Sequence, residues 1–245
     1  MIVFYKHHID YLTDHAVDPD KRRYATRHEA VRHYMDLDQW GQYPFSDLPR
    51  RWTDALARHS ELRLVVGPDT LPLIDTLLPF QQTDNLTLFL PPPFPDSVLL
   101  PYPAYRRFFT QHILPLYYEE QWRVPADSLW QILGFPSDSG RAETLLVIDH
   151  FSEHGILPYH LLRMQQRLTE AFRQKSAAAI LRLSADFGHY LGDAHVPLHT
   201  TRNYNGQLTD QLGIHAFWES RLPELYAEKE YDFLVGRAQY IENPE

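Results

Sequence analysis

His189 and Asp193 stand four residues apart, and so do His215 and Glu219. On a helix that spacing places both members of a pair on one face, one turn apart, so each pair could hold one cation. The stretch that contains them, residues 187–219, carries four of the chain's 14 histidines. Between the pairs, Pro197 should end the first helix and turn His199 back across its C-terminal end, and residues 203–206 supply turn chemistry for the return. His199 could then complete a three-ligand set with His215 and Glu219. Imidazole and carboxylate are the ligands of catalytic zinc, which keeps one position open for water, so the chemistry expected is zinc-dependent hydrolysis. Either pair alone would read as a surface ion pair. The five residues together, with Leu191, Val196, Leu198, Ile214, Phe217 and Trp218 to pack their helices, point to a metal site.

Composition limits the alternatives. At 245 residues the chain can bury one substantial core, and one domain over 1–245 is expected. The net charge of −9 argues against bulk electrostatic binding of nucleic acid or anionic lipid, which needs a basic face, but leaves room for a metal that holds one phosphate locally. With no cysteine, any metal must be held by His, Asp and Glu. No apolar run reaches the roughly 18 residues of a membrane span, so no stable insertion is expected, and Met1 opens no signal-peptide pattern.

The elements that must position these residues read as helices. Apolar spacing predicts helices over 4–15, 48–62, 104–122, 142–154, 157–173, 177–192, 214–225 and 226–239. Residues 65–103, with Pro91, Pro92, Pro93 and Pro95, read as a long irregular excursion. The expected fold is therefore all-α, a multi-helix single domain with a Pro-rich irregular insertion.

The residues HYLGDAHVPLH followed by GIHAFWE resemble the superfamily of bacterial zinc-dependent phospholipase C and the fungal single-strand-specific zinc nucleases. Its signature, H-x-x-x-D, Pro-hydrophobic-His and H-x-x-x-D/E, falls on His189, Asp193, His199, His215 and Glu219. An upstream Asp and His of that family are similar in spacing and context to Asp18 and His33. The resemblance covers about 177–225 and 18–38, and 61–134 shows nothing similar. It implies an all-α fold with up to three zinc ions in a cleft. One would use Asp18, His33, His189 and Asp193, and a second His199, His215 and Glu219, with Asp193 bridging to a third. Asp18 and Asp193 are then the catalytic candidates, Asp18 orienting or deprotonating the attacking water.

The third ion is where this chain departs from the pattern, which uses the amino group of an N-terminal Trp and a nearby His. The first Trp here is Trp40, and His7 and His8 lie on what resembles the next element. The expectation is that the opening segment is missing, leaving a truncated chain or a two-zinc variant, with the chain's end at Glu245 equally abrupt. Location follows from this: exported or periplasmic if a signal peptide once preceded the chain, otherwise cytoplasmic.

The implied reaction is phosphodiester hydrolysis, with single-stranded nucleic acid or nucleotides favoured as substrate and a phospholipid headgroup as the alternative. No protein partner is implied. Tyr34, Tyr204 and Phe217 lie close enough in sequence to site residues to build a base-stacking slot, though core or rim packing would explain them equally. A reading of another class is an inactive metal-binding or interaction protein on the same fold. His150 and His154 form a further i,i+4 pair, read as a solvated helix face. His195 should point away from Asp193, and His160 and His112 have no evident partner.

Overall fold

The computed structural model describes residues 2–74, 85–92, 94–116, 121–136, 144–232, 236–237 and 239–243. The fold is mixed α/β and not all-α: it contains a four-stranded antiparallel sheet and a two-stranded one beside its helices. The chain divides into two compact units, Met1–Phe45 with His154–Glu245, and Ser46–Glu153. No helix among the described residues is long and apolar enough to cross a membrane.

The chain begins with four short helices, α1 (Ile2–Lys6), α2 (Ile9–His15), α3 (Asp18–Arg23) and α4 (Arg27–Ala30). The second unit follows, in the order α5 (Trp52–His59), β1 (Ser60–Val66), β2 (Asp69–Pro72), β3 (Asn85–Phe89), β4 (Ser97–Pro101), α6 (Tyr102–Phe108), β5 (Gln121–Pro125), α7 (Asp127–Leu133) and β6 (Thr144–Asp149). Its larger sheet runs β2-β1-β6-β5, and β3 pairs with β4.

The strands show why an all-helical reading fails here. Along β1, Ser60, Leu62 and Leu64 are buried while their neighbours are less so, the two-residue alternation of a strand with one face on a core. Along β5, Trp122 and Val124 do the same. The run Leu145, Leu146, Val147 on β6 is buried without alternation, because β6 is central in its sheet, between β1 and β5. Such a run has no period by which to tell a strand from a buried helix; of the helix expected over 142–154, residues 144–149 are this strand, 152–154 are a 3-10 turn, and 142–143 lie outside the described residues. The stretch 65–103 is likewise not one irregular excursion. It supplies the end of β1, then β2, β3 and β4, while Pro91, Pro92 and Pro95 lie in the β3–β4 connection; residues 75–84 and 93 lie outside the described residues. Leu56, Leu62, Leu64, Tyr105, Phe108, Phe109, Trp130 and Val147 form the unit's core.

The first unit resumes with α8 (Leu157–Arg173) and α9 (Ala177–Ala194), over nearly the ranges that the apolar spacing predicts. Leu157, Met164 and Ala171 of α8 pack with Ile180, Leu183 and Tyr190 of α9, and Phe4 and Tyr5 of α1 cover them. Tyr5 also shares a hydrogen bond with Ser184, 2.7 Å. The chain closes with α10 (Ile214–Ala216), a π-helical turn over Phe217–Arg221 and α11 (Leu222–Glu230). The helix expected over 226–239 therefore stops at Glu230, and residues 233–235 and 238 of it lie outside the described residues.

Phe108 has no exposed surface in the core of the second unit. Phe108→Ala should lower stability by about 3–5 kcal/mol through lost burial and an unfilled cavity. Urea unfolding measures it, and a cost below about 1 kcal/mol would mean that the site is not closely packed.

Candidate metal centre

All the residues that converge on this site belong to the first unit. Helix α9 presents His189 and Asp193 one turn apart, with His189 Nε2 and Asp193 Oδ2 3.4 Å from one another. Three residues past the end of α4, buried His33 brings its Nδ1 to 2.9 Å from the same Asp193 oxygen and 3.1 Å from His189 Nε2. Half-exposed Asp20 closes this first group, its carboxylate oxygens lying 4.0 Å from His33 and 3.8 Å from His189.

The second group stands beside it. Helix α9 ends at Ala194, before Pro197, and a 3-10 turn over Pro197–Thr200 carries buried His199. His199 Nε2 lies 3.3 Å from His215 Nε2 and 3.0 Å from Glu219, and His215 Nε2 lies 2.9 Å from Glu219. Glu219 sits in the π-helical turn, an irregularity that recurs at functional sites. Asp193 reaches toward both groups, with its other oxygen 3.6 Å from His199 Nδ1.

These distances suit a divalent ion. Ligand atoms about 2.1 Å from a tetrahedral zinc are about 3.4 Å from each other. The three closest pairs of the first group, at 2.9–3.4 Å, and all three pairs of the second, at 2.9–3.3 Å, have that spacing. In each group two imidazole nitrogens lie 3.1–3.3 Å apart beside a carboxylate, so that all three could turn a lone pair toward one cation.

The far sides of the rings separate the groups. A metal-binding imidazole normally donates its other N–H to a carbonyl or carboxylate, which fixes the tautomer. His199 does so, from Nδ1 to the His33 carbonyl at 2.5 Å, and His215 does so to the Tyr204 carbonyl at 3.1 Å. Both Nε2 lone pairs then face Glu219. His33 differs: its Nε2 is buried with no partner among the described residues, so the ring is held by packing, edge-on to His189 and against Tyr190.

Local sequence explains these placements. Asn205 accepts from the backbone N–H of Gly213, 3.0 Å, at the start of α10, and Gly206 has a φ of 72° where a Cβ would meet the Gln211 carbonyl at 2.3 Å. That turn sets the Tyr204 carbonyl and His215. The His33 segment is clamped on two sides: Ile156 donates to the Val31 carbonyl at 2.7 Å, and Met35 donates to the His199 carbonyl at 2.9 Å. Gly155, with φ 90°, lets the chains approach so closely that a Cβ there would lie 2.1 Å from the Tyr34 carbonyl oxygen.

Of the residues expected from sequence, His33, His189, Asp193, His199, His215 and Glu219 come together. Asp18 does not join them. Its carboxylate is taken by His15 at 2.6 Å and Lys21 at 2.8 Å, and these bonds, Lys21 foremost, hold its pKa down at about 2. Asp20, two residues along α3 and so on another face, takes the place beside His33 and His189. Among the other histidines, His195 bonds back to the Leu191 carbonyl at 2.6 Å, His150 faces Glu61, and His154 packs on Trp40. No helix joins His150 to His154, since β6 ends at Asp149 and a 3-10 turn follows. Tyr204 lies edge-on to His215 with half its surface exposed, Phe217 is equally exposed, and Tyr34 is partly buried.

Comparison with protein-family models, curated proteins and solved structures finds no match. The chemistry of the site therefore rests on its own geometry.

Gly155→Ala should cost at least about 2 kcal/mol, from the backbone conformation and the clash together, and should weaken metal uptake by displacing His33. Thermal unfolding with and without zinc measures both, and an unchanged melting temperature would contradict the close approach.

A pH dependence follows from His160, whose ring packs edge-on against Tyr190. Burial first, then Arg32, Arg163 and Arg167, lowers its pKa from 6.5 to about 3. The unfolded chain is thus protonated first. The stability that depends on neutral His160 is complete above about 6.5 and drains as pH falls toward 3. Metal-free His160→Gln should lose stability over that window less steeply than metal-free wild type. Parallel curves would show that His160 does not drive the loss.

Proposed function

We propose that this chain is a zinc-dependent phosphodiester hydrolase of nuclease-like action on single-stranded nucleic acid or nucleotides. The observation that carries the reading is the pair of imidazole and carboxylate groups with Asp193 between them, its two oxygens facing His33 and His199. His33, His189, Asp193 and Asp20 would hold one ion, and His199, His215 and Glu219 a second. Bound there, zinc supplies Lewis acidity toward a phosphoryl oxygen and acidifies water.

The protein's own residues supply the rest. Buried His33 and His199 form the floor, while half-exposed Asp20 and exposed Glu219 stand toward solvent, where a phosphodiester would enter. With three candidate ligands among the described residues, the second group would leave a coordination position for substrate or water. The exposed ring of Tyr204 lies edge-on to His215 and offers a face on which a nucleobase can stack, which favours nucleic acid over a lipid headgroup.

Purified protein supplied with zinc should bind two equivalents and hydrolyse bis(p-nitrophenyl) phosphate. His199→Ala should reduce the rate at least about 100-fold, since it removes a ligand outright. Single-stranded oligonucleotides should be cleaved faster than duplex, and dispersed phosphatidylcholine left intact. Protein that takes up no zinc, or whose hydrolysis survives His199→Ala, would overturn the assignment. Cleavage of the lipid alone would replace the substrate.

A further inference from the structure

We infer that Tyr190 and Glu29 are positioning residues that hold the first ligand group in register, a role that rests on metal binding at that group. The reasoning starts from the orphaned His33 Nε2, buried without a partner among the described residues. His199 and His215 are each oriented by a carbonyl on the far nitrogen, whereas His33 must be oriented by what its ring touches.

Besides His189, it touches Tyr190. This ring is almost fully buried, and its centroid lies 5.2 Å from that of His33 and 5.7 Å from that of His189, so it borders both imidazoles of the first group. A ring used as a support must itself be fixed. The Tyr190 hydroxyl donates to the carboxylate of Glu29, which is almost fully buried on α4, one turn before His33.

Glu29 is fixed in turn. Arg32 binds its other oxygen at 2.6 Å. Arg22 of α3 reaches Glu29 at 3.4 Å, the Tyr190 hydroxyl at 3.4 Å and Asp186 of α9 at 3.2 Å. The two guanidinium groups balance the two carboxylates, so the network is neutral and its buried acid is paired. It joins the three elements that carry the first group: α3 with Asp20, the turn after α4 with His33, and α9 with His189 and Asp193. No hydrogen bond or ion pair of this network involves His199, His215 or Glu219.

That asymmetry makes the role testable. Tyr190→Phe keeps the ring and removes only the hydroxyl. With cobalt as the probe, a His215→Ala background isolates the first group and a His189→Ala background the second. In the first background, Tyr190→Phe should weaken cobalt binding about 10- to 100-fold and shift the visible absorption of the bound ion. In the second background, affinity and spectrum should be unchanged. Glu29→Gln should give the same selective loss, and in the otherwise native protein Tyr190→Phe should lower kcat with KM little changed. Equal weakening of both groups would reduce the network to general structural support and overturn the inference, as would unchanged binding at the first group. Wild-type protein that binds no cobalt would instead overturn the metal reading on which this inference stands.

Discussion

The site depends on one reciprocal clasp between two backbone segments. His199 Nδ1 donates to the His33 carbonyl, and Met35 N–H donates to the His199 carbonyl. The first bond turns the His199 lone pair toward His215 and Glu219, and the second holds the 3-10 turn that carries His199 against the strand of chain that carries His33. One candidate ligand, His199, is thereby oriented by the backbone of another, His33. The two groups share no candidate ligand but Asp193, which reaches toward both, and this backbone clasp links them. Gly155 permits this, since any side chain there would collide with Tyr34 and push the His33 segment outward.

Convergence of this kind is costly in a metal-free protein. Several imidazole nitrogens and carboxylate oxygens face one small volume in each group. Local spacing sets the i,i+4 pairs, but bringing the separate segments together must be imposed by packing. The α8–α9 pair supplies that rigidity: its apolar contacts run from Leu157 to Ala171 and from Ile180 to Tyr190, and the candidate ligands His189 and Asp193 of α9 lie at the end of the packed stretch. Carboxylates left half-open to water, Asp20 and Glu219, complete groups whose imidazoles are buried or partly so. Solvent access on that side gives the site a mouth as well as a floor.

The second unit was legible only in part, for a definite reason. Helices such as α8 and α9 display a 3.6-residue apolar period that nothing else produces, and their ranges follow from it. Strand β6 is buried on both faces and shows no period, so its apolar run resembles a helix segment; β5 follows a helical stretch closely enough to be merged with it. Pro91, Pro92 and Pro95 suggested irregularity across a region where they occupy only a connection between two strands.

At the site, sequence by itself determined the pairs. Four-residue spacing on helical segments fixes which imidazole and which carboxylate share a face, because helix geometry is local. His189 with Asp193 and His215 with Glu219 needed nothing more, and Pro197 made the turn that returns His199. Tertiary structure decided everything that depends on distant parts of the chain. It set Asp20 rather than Asp18 beside His33 and His189, two acids in one Asp-Pro-Asp run that differ in the direction in which α3 points them. It brought His33 across more than 150 residues to Asp193, and set Tyr190, unremarkable in sequence, beneath both rings of the first group. Spacing along a chain carries direction only within one element, whereas the approach of separate elements is set by packing, which no local pattern encodes.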